Sequence, residues 1–115
     1  MGWGKSVDLV WRYDPINDSW HTVSSLPSAR AYATAAFNNG KIYVMGGWDG
    51  KQALSDNLSF DPALDLEGEP AWQAEPDLPK ACARCSAESI SGMLFVIGTN
   101  GIWQLNFPNL NWTQI

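Results

Sequence analysis

The chain has 115 residues, one domain's worth by length, and 45% of them are hydrophobic, enough to bury a core if the fold closes on itself. Its formal charge of −5 sets twelve acids against seven scattered bases, which argues against a nucleic-acid partner, because such a partner needs a clustered basic patch. No run approaches the roughly 18 consecutive apolar residues of a membrane-spanning helix, and two cysteines, Cys82 and Cys85, are too few for the disulfide framework of a small secreted domain.

From the N-terminus, Met1 to Val10 lacks the apolar core of a signal peptide, so the expected location is cytoplasmic. Trp11 and Tyr13 alternate with polar residues and predict a strand with one face to the core, ending in the turn Tyr13-Asp14-Pro15. "WHTVSSLP" (20–27) is more polar and carries proline, which removes a ladder donor and suits an edge strand. "ATAAFNNG" (33–40) is a small-residue strand, and "GKIYVMGG" (40–47) is a short apolar run between glycines, suited to a central strand covered on both faces. Leu58 and Phe60 then repeat the alternation of Trp11 and Tyr13, and "ALDLEGEP" (63–70) lengthens the following turn. "WQAEPDLP", "CSAESISG" and "GMLFVIGT" restate the edge, small-residue and central strands in the same order, before Leu105 and Phe107-Pro108.

Four markers keep register. The aromatic residue before each turn recurs every 47 residues at Tyr13, Phe60 and Phe107, and an offset of 52 relates Trp20 to Trp72, Leu26-Pro27 to Leu78-Pro79, and Gly46 to Gly98. Seven tryptophans in so short a chain fit core anchors of such a repeat. The unit is four strands joined by Gly, Pro and Asp turns.

The combination of "YDPINDSW", "LPSAR", "GKIYVMGG" and "WDG" resembles the kelch repeat. The resemblance covers the chain from about Val7 and is degraded in the second repeat, where Thr99 replaces a second glycine and Cys82 stands where Arg30 stands in the first. It implies an all-β fold of four-stranded antiparallel β-propeller blades. The expected division is 1–27 as the third and fourth strands of a preceding blade, 28–79 as a complete blade, and 80–115 as most of another. Propellers typically have about four to eight blades, so two and a half cannot close a ring alone. A piece of a longer propeller is the expectation; assembly of several copies, or completion by partner segments, are the alternatives.

Candidate chemistry is sparse. Gly46-Gly47-Trp48-Asp49-Gly50 is not G-x-x-x-x-G-K-[ST] and no helical pattern follows it, so its glycines serve backbone shape rather than phosphate. Cys82-Ala83-Arg84-Cys85 has the spacing of redox dithiols and half zinc sites, yet the chain offers only His21 as a further soft ligand. These residues are expected to enter a strand, where positions three apart point to opposite faces, so packing is the reading, with a redox-sensing thiol as the alternative. Asp65, Glu67 and Glu69 lack the order of a calcium loop and read as a solvated acidic turn. No catalytic residue, cofactor or metal is expected.

What remains is loop chemistry. The resemblance implies a recognition surface built by two kinds of loop on one face: Ser28, Arg30 and Tyr32, with Lys80 and Arg84 in the next repeat, and Trp48, Asp49 and Lys51, with Asn100 in the next. It also implies that Arg30 can reach an acidic peptide, against which stands an ion pair or hydrogen bond between blades. The expected function is a protein-interaction module with a protein or peptide ligand, of the kind used by substrate adaptors of cullin ubiquitin ligases through segments this chain does not contain. The alternatives are part of a propeller enzyme acting on sugars, an oxidase or an isomerase, and a cytoskeletal scaffold.

Overall fold

In a computed structural model, residues 7–98, 101–106 and 111–115 are described. Ten strands and one short helix follow one another: β1 Val10–Asp14, β2 Ser19–Val23, β3 Thr34–Asn38, β4 Lys41–Met45, β5 Asn57–Phe60, α1 Pro62–Leu66, β6 Trp72–Glu75, β7 Ser86–Ile90, β8 Met93–Gly98, β9 Gly101–Asn106 and β10 Asn111–Gln114. They form a two-stranded hairpin, β1-β2, and two four-stranded antiparallel meanders, β3-β4-β5-β6 and β7-β8-β9-β10. The fold is that of propeller blades, and the described residues do not close a ring.

Local chemistry sets the register. Asn39 and Gly40, and in the next repeat Ser91 and Gly92, all have positive φ between strands whose pairing leaves two-residue loops, Asn38↔Lys41 and Ile90↔Met93. Those are the dihedrals of a type I′ hairpin, whose twist matches that of the strands it joins. The apolar runs become the second strands β4 and β8, and the proline-flanked runs become the edge strand β6 and the hairpin strand β2.

The core lies between the two four-stranded sheets. Tyr43 and Met45 of β4 face Leu94 and Val96 of β8 and Leu105 of β9, with Leu78 closing the cluster from the β6–β7 connection. Period-2 alternation decides this: the other face of β4, Ile42 and Val44, turns toward the β1-β2 hairpin across a groove of about 330 Å³ shared with Phe60 and Trp72. Coverage on both faces therefore holds only in part, since Ile97 of β8 is exposed on the outer side of the last sheet. Trp11 and Tyr13 depart from expectation in the same way. They are 55% and 43% exposed, although Trp11 lines the groove together with Val10 and Arg12.

The lengthened turn is not plain loop. Asp61 caps a single helical turn, its carboxylate accepting from the Ala63 N–H at 3.0 Å, with Pro62 at the first helical position. Both are helix-start signals carried by the sequence "DP" itself. Asp65 accepts a hydrogen bond from the Ser24 hydroxyl, and the Trp72 indole N–H donates to the Ser24 carbonyl at 3.1 Å, so this turn fastens the hairpin to the next sheet.

Candidate functional site

Three connections meet at one end of the sheets: 24–33 between β2 and β3, 46–56 between β4 and β5, and 76–85 between β6 and β7. Backbone hydrogen bonds lock them together. Ala31 and Trp48 exchange both N–H···O bonds at 2.9 and 2.7 Å, Gly47 N–H donates to the Cys82 carbonyl at 2.8 Å, Cys82 N–H donates to Leu54 at 2.8 Å, and Arg84 N–H donates to Tyr32 at 2.9 Å. Gly46 and Gly47 are required for this approach. Both have positive φ, and a Cβ on Gly46 would strike the Cys82 carbonyl oxygen, while one on Gly47 would stand 2.8 Å from the Ala31 carbonyl oxygen.

Arg30 sits under this layer rather than on it. Its side chain is 1% exposed, and its guanidinium forks onto Asp56 with bonds of 2.8 and 2.7 Å, donates to the Gly46 carbonyl at 3.0 Å, and donates to the Ser28 hydroxyl at 2.7 Å. The planar fork suits a bidentate carboxylate pairing that lysine could not reproduce. Arg30 and Ser28 thus brace the loops from beneath: the ion pair lies within one blade, while the hydrogen bonds between blades weighed in the sequence are made by the Arg30 backbone, which exchanges N–H···O bonds with Val7 at 2.9 and 3.3 Å.

Tyr32 and Arg84 lie above. They stand 52 residues apart, at equivalent positions of consecutive repeats, and both adopt the left-handed conformation, with φ of 57 and 64°. The Arg84 guanidinium carbon lies 4.1 Å from the Tyr32 ring centroid, a cation–π stack that leaves both side chains exposed. Neither residue type favours that backbone region, and the Arg84 N–H to Tyr32 bond holds it.

In the same loops, Lys51, Asp49 and Lys80 are exposed, and Trp48 is half-buried. Asp49 turns inward on its own loop, its carboxylate accepting from the N–H groups of Gln52 at 2.9 Å and Lys51 at 2.8 Å, which holds its carboxyl below the usual carboxylate range. Asn100, Thr99 and Phe107-Pro108 lie outside the described residues. His21, on β2, meets the Ser19 hydroxyl at 3.1 Å.

Cys82 and Cys85 overturn one expectation. They do not enter a strand, since β7 begins at Ser86, and they do not point apart: in the loop before β7 their sulfurs are brought together, with the Cα atoms 6.0 Å apart. A turn, free of strand alternation, brings positions three apart together.

A family model described as the kelch motif matches residues 1–27 and 29–79. The chain belongs to the kelch family. It is 43% identical over 79 residues to an F-box/kelch-repeat protein of Arabidopsis thaliana, covering 65% of this chain and 16% of that protein. It is 29% identical over 90 residues to Kelch-like protein 33 of Homo sapiens, covering 78% of this chain and 16% of that one, and 30% identical over 112 residues to beta-scruin of Limulus polyphemus, covering 95% and 12%. The chain therefore spans less than a fifth of the length of these curated relatives. Within the kelch frame, residue 30 and residue 82 are equivalent places, braced by an arginine–aspartate fork in one repeat and a cysteine pair in the next.

Proposed function

We propose that this chain is a kelch protein-interaction module whose loop face grips a protein or peptide ligand. The observation that carries the reading is the Tyr32–Arg84 stack, held by two adjacent loops that are hydrogen-bonded to each other and to the 46–56 loop. A rigid aromatic beside an exposed guanidinium is the chemistry of an interface hot spot, and prior bonding of the loops removes the ordering cost of binding. Arg84, with exposed Lys51 and Lys80 in the other two loops of this end, suits an acidic group on the ligand. Ser28 and Arg30 act from beneath as positioning residues, and Asp49 shapes its loop.

The wider role is that of a substrate-recognition part of a cullin-type ubiquitin ligase adaptor, with the ligase contacts made outside this chain. The kinship to F-box/kelch-repeat and Kelch-like proteins supports it. The chemistry assigned to the surface is binding and not catalysis.

A pull-down from native extract with the full-length protein tests the surface, using Tyr32→Ala and Arg84→Ala against Lys41→Ala, at the opposite end of the sheet. Partners captured by the parent and by Lys41→Ala, and lost by both loop variants, are the expected result. Equal capture by all four proteins refutes the surface.

A further inference from the structure

The Cys82-Ala83-Arg84-Cys85 stretch has a built environment that loop packing alone does not require. The Cα atoms of the bridged pair are 6.0 Å apart, inside the span a disulfide crosses. Room for the sulfurs comes from Gly98 on β8: a Cβ there would stand 2.8 Å from Cys85 Sγ and 3.2 Å from Cys82 Sγ. Both cysteines are half-buried, so small thiols can reach a pair that is otherwise enclosed by β8.

Arg84 lies inside the small ring that the bridge closes. Its left-handed backbone, its N–H bond to Tyr32 and its stack on the Tyr32 ring are all formed with the two sulfurs side by side. On the other flank, the Cys82 carbonyl and N–H tie the same ring to Gly47 and Leu54 of the neighbouring loop. Opening the ring frees the backbone of residues 83 and 84 from an added constraint; Tyr32 takes the same left-handed backbone with no ring, so the bridge restrains the loop around Arg84 rather than creating that conformation.

We propose that Cys82 and Cys85 form a reversible dithiol–disulfide pair whose oxidation locks Arg84 against Tyr32, a modification site that controls one half of the loop surface. The effect on ligand binding rests on the function proposed above; the redox pair itself does not. The oxidant is a low-molecular-weight disulfide. One protein thiolate attacks a sulfur of that disulfide, breaking its S–S bond and expelling one small thiolate, which takes up a proton. The second protein thiolate then attacks the protein sulfur of the mixed disulfide, forming the Cys82–Cys85 bond and expelling the second small thiol. Two electrons pass from the protein sulfurs to the small disulfide, and the two protein protons end on the released thiols.

The test equilibrates the full-length protein in buffers of graded reduced-to-oxidised glutathione ratio, traps thiols with an alkylating agent, and weighs the peptide that holds both cysteines. The expected result is a single two-electron transition from the doubly alkylated peptide to one that is unalkylated and two hydrogens lighter than its dithiol. Gly98→Ala should move the transition to a more oxidising ratio, because its methyl occupies the place of the sulfurs; Gly98 carries no left-handed φ, so β8 accepts alanine once the sulfurs move away. Hydrogen exchange on the two end states should show the amides of Arg84 and Gly47 exchanging about tenfold faster on reduction, with the β8–β9 ladder unchanged. Double alkylation at every ratio overturns the pair, and equal exchange in both states overturns the lock. Neither measurement needs a ligand, so each can fail while the pull-down succeeds, and the reverse.

Discussion

Arg30 and Cys82 hold equivalent places in consecutive repeats, and what each does follows from its partners. The Arg30 fork is saturated by Asp56, Gly46 and Ser28, so its removal leaves Asp56 and the Gly46 carbonyl without the charge that organises them. Asp56 is partly exposed and water recovers some of that loss. Arg30→Ala is therefore expected to lower stability by roughly 3 kcal/mol, at the lower end for a broken buried pair, as read from the denaturant midpoint. A loss under about 0.5 kcal/mol, the level of an ordinary surface change, would show that the fork braces nothing. The sequence placed Arg30 in the right loop and could not say which way it pointed. Its partner Asp56 stands 26 residues away, and the two meet through the pairing of β4 with β5 together with that of Ala31 with Trp48.

At the scale of elements, glycine spacing carries most of the design, but glycines of similar backbone differ in what surrounds them. Gly40 and Gly46 both have positive φ, near 80 and 66°. Nothing lies within 4 Å of a Cβ on Gly40, whereas a Cβ on Gly46 collides with the Cys82 carbonyl. Gly40→Ala should cost about 1 kcal/mol, the strain of a left-handed alanine. Gly46→Ala should cost at least about 2 kcal/mol more, because backbone rather than a flexible side chain must move. Thermal or denaturant unfolding of the two variants side by side decides it; equal losses would mean that the loops are not pressed together. The glycine turns and the positions of the central and edge strands were legible from local residue types, whereas the I′ geometry of the turns emerged from the structure. The one-turn helix α1 was not read, although Asp61-Pro62 signalled its start, because a proline turn and a helix N-terminus share that signature.

Across the whole molecule, stability is concentrated between the two four-stranded sheets. Leu78 is buried against Tyr43, Met45 and Leu94, and the Trp112 indole N–H donates to the Pro76 carbonyl at 3.2 Å, fastening the last strand to the β6–β7 connection. Leu78→Ala should destabilise by about 3 kcal/mol through lost burial and the cavity left behind. Ile97, exposed on the outer face of the last sheet, should lose about 1 kcal/mol or less on the same change when that face is open. Equal losses, measured in the full-length protein, would place a further packed layer over Ile97. The groove beside Ile42 and Val44 and the exposed Trp11 and Tyr13 are the corresponding features at the other end.

By itself the sequence determined the kelch repeat, the order of strands within a blade and the turns that join them, while the gathering of loops at one end was implied only by the resemblance to the family. Repeat, order and turns depend on residue type at fixed local spacing, which the chain states outright. Only the tertiary structure decided that Arg30 braces while Tyr32 and Arg84 present, that α1 ties the hairpin to the next sheet, and that Cys82 and Cys85 meet over Gly98. Direction and contact depend on residues up to 52 positions apart, and no local pattern encodes which side chain the neighbouring loop will leave in solvent.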